Sequence, residues 1–318
     1  MGIRNKNIVI IEAESELGAG TRGASLGPKA LRICDRNQSN LLSSIKTISI
    51  SSYDVLLNSS PITTEWAKNI GNIYDFNRVL SATVEKELEK GNFVILLSGD
   101  HSNAIGGVSG FRNFLKNKEC RLTWIDAHGD LHSPYTSPSG NMHGMPLAAL
   151  LGHDNLEDSL REIDFETHQQ WEAIKNLCKN ERGSLQPQEI LFAGIRDLEE
   201  EEWDMVNELG IRHLSHEVFK NENIAHICTS VTAEIDSFPL YVSFDVDVLD
   251  PSISDGTGTP VKDGITSAQS IALLQCLVNR EEAMVLEITE MNPLLDSRGN
   301  TLKVVLDILG KILPSPRS

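Results

Sequence analysis

The stretch WIDAHGDLHSPYTSPSGNMH at 124–143 sets Asp126, His128 and Asp130 two residues apart directly after an apolar run, then continues as a polar loop to His143. Carboxylates and imidazoles at that spacing suit a metal ion, and a polar loop ending in a second histidine suits a substrate pocket beside it. Asp100 with His101, Asp245 with Asp247, and Glu290 are residues of the same kind elsewhere in the chain. Each has an ordinary reading as well, since an aspartate after a strand often caps the next turn and a lone histidine is more often a helix-start or core residue. Taken together, Asp126, His128, Asp130, Asp245 and Asp247 would crowd carboxylates whose repulsion must be offset by cations. With His101 they form a mostly oxygen ligand set that suits Mn²⁺ and also accepts Co²⁺, Fe²⁺, Ni²⁺ or Zn²⁺. So many ligands predict two ions roughly 3.5–4 Å apart sharing a water or hydroxide, and such a pair makes a nucleophile at neutral pH. Hydrolysis is the expected chemistry.

These residues need elements that bring them together. Apolar runs at 7–12, 45–50, 93–97, 121–125, 190–193, 211–214, 240–244 and 284–288 read as strands, with 93–97 (FVILL) apolar throughout as in a strand covered on both faces. Helical spacing follows them: a helix opening at Pro28, one from Ile73 to Lys90, and others near 103–117, 145–151, 199–209, 222–235, 267–279 and 301–312. Alternation of this kind predicts an α/β fold, a three-layer α/β/α arrangement with a largely parallel central sheet of about eight strands. Each candidate residue then falls just past the carboxyl end of a strand, the edge where open parallel sheets bind ligands. The segment between the second strand and about residue 70 reads as irregular. Residues 153–188, with Trp171 and Leu177 at roughly helical spacing, read as an inserted helix or a surface excursion. Nothing divides the chain, so 1–318 is expected to be a single catalytic domain.

Among 318 residues the formal net charge is -17, which argues against nucleic acid or an anionic membrane as a partner and favours a cationic substrate. The acidic run from Glu199 to Glu202 reads as solvated surface. The five cysteines lie far apart without a C-x-x-C pair, no apolar run approaches a membrane span, and MGIRNK lacks an apolar leader core. A reduced, soluble, cytoplasmic protein is expected. Gly18, Gly20 and Gly23 have G-x-G-x-x-G spacing, but Pro28 delays the helix and no acidic residue closes a second strand, so no dinucleotide is expected.

The blocks SGDHS (98–102), DAHGD (126–130), SFDVDVLDPS (243–252), GTGTP (256–260) and EMNP (290–293), with GAGTRGASLGPKALR before them, resemble the signature blocks of the ureohydrolase family, and within it arginase most of all. The resemblance runs from about residue 18 to residue 293. It implies two Mn²⁺ ions, one held by His101, Asp126, Asp130 and Asp245, the other by Asp126, His128, Asp245 and Asp247. It also implies a bridging hydroxide that attacks the guanidinium carbon of L-arginine to give L-ornithine and urea. His143 is similar to the family's proton-shuttling histidine and Glu290 to the carboxylate that grips the guanidinium, with Asp130 also in the catalytic set. A guanidinium carbon is a poor electrophile, so an activated attacker, an orienting carboxylate and an acid for the leaving amine make physical sense.

The loop PSGNMHGMP resembles the arginase loop, whose serine and asparagine bind the substrate α-carboxylate; these are Ser139 and Asn141. His132 stands where arginases usually have asparagine, and Glu199 ends Arg196-Asp197-Leu198-Glu199 where they usually have R-D-x-D. His132 could still donate to a carboxylate and Glu199 could still accept from an α-amino group. Ser98-Gly99 replaces the usual Gly-Gly, a change expected to affect only the turn. The alternatives are hydrolysis of another guanidino compound, such as agmatine or guanidinobutyrate, and a non-catalytic regulatory member of the family. The resemblance also implies a homo-oligomer, trimer or hexamer.

Overall fold

The strand-forming runs become β1 (Ile8–Glu14), β2 (Lys46–Ser51), β3 (Phe93–Ser98), β4 (Arg121–Ile125), β5 (Ile190–Ala193), β6 (Arg212–Leu214), β7 (Leu240–Asp245) and β8 (Ala283–Thr289). They form one sheet in the order β2-β1-β3-β8-β7-β4-β5-β6, with every strand pairing parallel. The structure, a computed structural model, describes residues 2–57, 64–178 and 182–314. β3 and β7 are buried at every position because helices cover both faces, whereas the edge strand β2 (KTISIS) is half-exposed and polar.

The helices are α1 (Gly27–Gln38), α2 (Tyr53–Leu57), α3 (Ile70–Glu89), α4 (Ala104–Leu115), α5 (Pro146–Leu151), α6 (Phe165–Lys175), α7 (Glu200–Glu208), α8 (His216–Asn221), α9 (Ile224–Ile235), α10 (Ser267–Val278) and α11 (Asn300–Ile312). Residues of α1 and α8 to α11 pack on one face of the sheet, with Ile95, Leu97, Val242, Phe244, Leu286 and Ile288. Residues of α3, α4, α5 and α7 pack on the other, with Val94, Leu96, Trp124, Tyr241 and Val285. This is the α/β/α sandwich that the alternating pattern predicts.

Two details depart from that pattern. The irregular segment before residue 70 contains the short helix α2, and its residues 58–63 lie outside the described residues. The helix expected over 222–235 is preceded by a separate one, α8, because the Asn223 side chain accepts from Ala225 N at 2.8 Å and restarts the chain as α9.

The segment 153–188 carries α6, apart from residues 179–181, which also lie outside the described residues. Asp164 caps α6 by accepting from Thr167 N at 2.9 Å. Trp171, Ile174 and Leu177 pack on Ala67, Ile70, Ile73, Met142 and Met145, beneath the loop that ends in His143. Trp171 is fully buried and donates Nε1–H to Asp154 Oδ1 at 2.8 Å. None of the helices among the described residues is long and apolar enough to cross a membrane.

Because Trp171 fills that small core, Trp171→Ala is expected to cost about 3–5 kcal/mol in urea unfolding. A loss near zero would make α6 a surface appendage.

Candidate metal centre and substrate cleft

Parallel strands that end at one edge deliver the candidate residues to the same place. His101 follows β3, Asp126 follows β4, Asp245 closes β7 and Glu290 follows β8. Several of these aspartates use one oxygen as a turn cap and aim the other inward. Asp126 Oδ1 accepts from His128 N and Asp245 Oδ1 from Asp247 N, both at 2.8 Å. The inward oxygens meet His101 Nδ1 at 3.1 Å (Asp126 Oδ2), 2.9 Å (Asp130 Oδ2) and 3.2 Å (Asp245 Oδ2). Beside this group, His128 Nδ1 lies 3.0 Å from Asp247 Oδ2 and 3.6 Å from Asp126 Oδ1. Asp126 therefore faces both histidines. Thr259 Oγ1 donates to Asp247 Oδ2 at 3.1 Å, which steadies that carboxylate.

The chemistry of these atoms fits divalent cations. His101 Nδ1, Asp126 Oδ2 and Asp130 Oδ2 are buried without a hydrogen-bond partner, although they converge on a common point. Buried polar atoms are rarely left so, and lone pairs converging on one point are what a cation requires. Electrostatics agree. Burial, then the charge of Asp126, pushes the Asp130 carboxyl up to about 6, and burial with Asp247 and Asp126 holds Asp245 well above the aspartate range. Burial would lower His101, but Asp126 and Asp130 outweigh it and hold the ring well above the usual histidine range.

Asp100 has a different place. It caps the turn that carries His101, accepting from Ser102 N at 2.8 Å, and ties down the glycine loop by accepting from Gly18 N at 2.7 Å and Ala19 N at 3.0 Å. The glycine loop packs behind residues of the site: a Cβ on Gly18 would meet Ser102 and the His143 amide, and one on Gly20 would press on the Asn141 amide.

Glu290 Oε1 accepts from His101 N at 2.9 Å and lies 3.0 Å from His143 Nδ1. Burial would lower His143, but Glu290 outweighs it and raises the ring to about 9. Both Asp130 (φ 53°) and Glu290 (φ 63°) adopt left-handed backbone, which aspartate tolerates readily and glutamate seldom adopts.

One cleft is lined by His101, His128, Asp130, Asp245 and Asp247 together with His143, Glu290, Ser139, Asn141, His132, Glu199, Glu202 and Thr259. Every residue singled out from the sequence as substrate-contacting or catalytic lies along it. Lys68, which gave no signal in the sequence, donates to Asn141 Oδ1 at 3.1 Å.

Two readings of the sequence need correction. The run Glu199–Glu202 is not all solvated surface: Glu202 is buried, accepts from Leu131 N at 3.0 Å and is raised to about 8, chiefly by burial. The E-x-x-E spacing was the available signal, since Glu199 and Glu202 form a capping box at the start of α7. Glu199 is itself held by His132 Nε2 at 3.0 Å, and that contact lowers it to about 2. The second correction concerns Ser98, whose effect reaches beyond the turn: its Oγ donates to the buried Glu287 at 2.5 Å.

A sequence model of the arginase family matches residues 6–313. The chain belongs to the arginase family. The arginase of Bacillus caldovelox is 30% identical over 96% of this chain and 98% of its own length. The solved arginase of Entamoeba histolytica, in complex with L-ornithine, superposes with a TM-score of 0.84 at 25% identity and covers 98% of this chain and 99% of its own. A hypothetical agmatinase from Burkholderia thailandensis, 18% identical with a TM-score of 0.68 over 98% of this chain and 85% of its own, shares the fold. This arginase-family chain is thus a hydrolase with clustered His and Asp groups at its sheet edge.

Divalent metal added to chelator-treated protein is expected to raise stability by about 3 kcal/mol per ion at a free concentration ~100 times Kd. Asp245→Asn removes one of the repelling carboxylates, so the metal-free variant should be at least as stable as wild type yet lose most of that gain. Calorimetric scans of both proteins with and without metal check this; an undiminished rise in the variant would remove Asp245 from the centre.

Proposed function

We propose that this chain hydrolyses L-arginine to L-ornithine and urea at a dinuclear metal centre, with manganese the ion best matched to the oxygen-rich ligands. His101, Asp126, Asp130 and Asp245 would hold one ion; Asp126, His128, Asp245 and Asp247 would hold the other. Bound there, the ions supply a water activated for attack on the guanidinium carbon. Glu290 Oε1 is already taken by His101 N and His143, so Oε2 is the oxygen left to orient the guanidinium. His143, held at Nδ1 by Glu290 and raised to about 9, carries a proton at neutral pH for the leaving amine.

The observation that carries the choice of arginine is the shared cleft. Ser139 and Asn141 line the cavity that holds the ligand cluster and His143, where they can receive the α-carboxylate of an amino acid whose guanidinium reaches the cluster. Glu199, held by His132, flanks that end and suits the α-ammonium. Agmatine lacks the carboxylate and would leave Ser139 and Asn141 unused. The family resemblance supports a homo-oligomer, trimer or hexamer, and the family match over residues 6–313 supports the whole chain as one catalytic unit, which we place in the cytoplasm from its separated cysteines.

Urea release measured over arginine and agmatine with added Mn²⁺ tests the substrate. Arginine should have the higher kcat/KM by at least about tenfold, and the reverse order would overturn the α-carboxylate argument. His143→Ala should lower kcat by about 10²-fold or more with both ions retained; an unchanged rate excludes it as the acid. His132→Asn frees the Glu199 carboxylate, so KM for arginine should fall while kcat stays within about threefold. A raised KM would mean that His132 itself contacts substrate.

A further inference from the structure

Beneath the ligand cluster lies a carboxylate with no part in that chemistry. Glu287 stands in β8 within the apolar run AMVLEIT and is fully buried. Its hydrogen-bond partners are hydroxyls: Ser98 Oγ donates to Oε1 at 2.5 Å, Tyr241 OH to Oε2 at 2.7 Å, and Ser243 Oγ to Oε2 at 3.4 Å. Sheet register makes this meeting unavoidable. Glu287 is paired with Ser243 on β7 and with Leu96 on β3, and Ser98 and Tyr241 lie two residues from those partners, so all four side chains rise on one face. Gly107 of α4 leaves the space that the Tyr241 hydroxyl fills, since a Cβ there would collide with it.

Ser243 joins this group to the centre. Its Oγ lies 2.8 Å from His101 Nε2, and the His101 ring stacks on Trp124 with centroids 4.1 Å apart and planes 9° from parallel. Counting donors gives the chain its direction. An ionised carboxylate only accepts, so Ser98, Tyr241 and Ser243 each direct their single proton to Glu287. Ser243 then offers His101 a lone pair, and Nε2 must carry the ring proton. With Nε2–H held by Ser243, the nitrogen that faces Asp126, Asp130 and Asp245 is Nδ1, so a cation arriving among those carboxylates displaces the Nδ1 proton and finds the Nε2–H tautomer that a metal ligand needs. Burial raises the Glu287 carboxyl, and His101 with the three hydroxyls pulls against that rise.

Resting on the dinuclear reading, we propose that Glu287 is a positioning residue that sets the tautomer and orientation of His101 through Ser243. Ser98, which replaces the family's usual glycine, supplies an extra donor that holds Glu287 in that role. The pair therefore tunes one of the two ions and leaves the other alone, because His128 has no share in the relay. Glu287→Gln removes the charge and allows an amide nitrogen to face Ser243, which reverses that bond. Ser98→Gly removes one donor only and leaves the carboxylate in place.

Calorimetric titration of Mn²⁺ into the chelator-treated full-length protein, wild type and variants, reads both ions separately from catalysis. Glu287→Gln should weaken one ion by about 10–100-fold, and Ser98→Gly should weaken the same ion by a few-fold, while the other stays within about twofold. Equal weakening of both ions, or no change in either variant, overturns the relay. If Glu287→Gln fails to fold, Ser98→Gly alone decides between a one-ion effect and none. A wild-type protein that takes up no divalent ion overturns the dinuclear reading and the relay with it, whereas two ions in wild type with no site-selective loss overturns the relay alone.

Discussion

The site depends on one electrostatic constraint: Asp126, Asp130, Asp245 and Asp247 are buried within reach of one another at the carboxyl edge of the sheet. Taken alone, that crowding is unfavourable, because removing charge from water and placing like charges side by side both raise the energy of the ionised forms. The surrounding structure offsets it piece by piece. Oxygens that do not face the centre accept from backbone N–H groups, as in Asp126 with His128 N and Asp245 with Asp247 N. Asp126 Oδ2, Asp130 Oδ2 and His101 Nδ1 converge with no protein donor to satisfy them, which is the arrangement a divalent cation completes.

Much of the neighbouring architecture serves to hold that arrangement. Asp100 fixes the turn carrying His101 and fastens the glycine loop to it. Glu290 adopts left-handed backbone, which lets one carboxylate meet both the His101 amide and His143. On the sheet itself, Trp124 supports the His101 ring from below and Ser243 reaches its far nitrogen. The outer end of the cleft has its own balance, in which His132 lies between Glu199 and Glu202 and partly neutralises an acidic mouth.

A large part of this was legible in the chain. The all-apolar run FVILL announces a strand buried on both faces, and helical spacing from Ile73 onward announces α3. Asp126, His128 and Asp130 sit after β4 as their spacing suggests. The less legible parts have physical reasons. Asn223 as a cap divides α8 from α9 through a single side-chain hydrogen bond that local periodicity does not reveal. Glu202 resembles its solvated neighbours until α7 turns it under the loop to meet Leu131 N. Lys68 comes from a segment without periodicity and meets Asn141 only because 140–141 folds against it.

Residue type and order alone determined the fold class, the family and the set of groups able to ligate metal, because each is written in local patterns: apolar periodicity, strand-end aspartates and spaced motifs. Tertiary structure decided which oxygen of each carboxylate faces the centre, that Asp100 caps while Asp126 faces both histidines, and that Ser98 acts on Glu287. Those outcomes depend on sheet register and on contacts between segments as many as 189 residues apart. Local pattern carries no information about either.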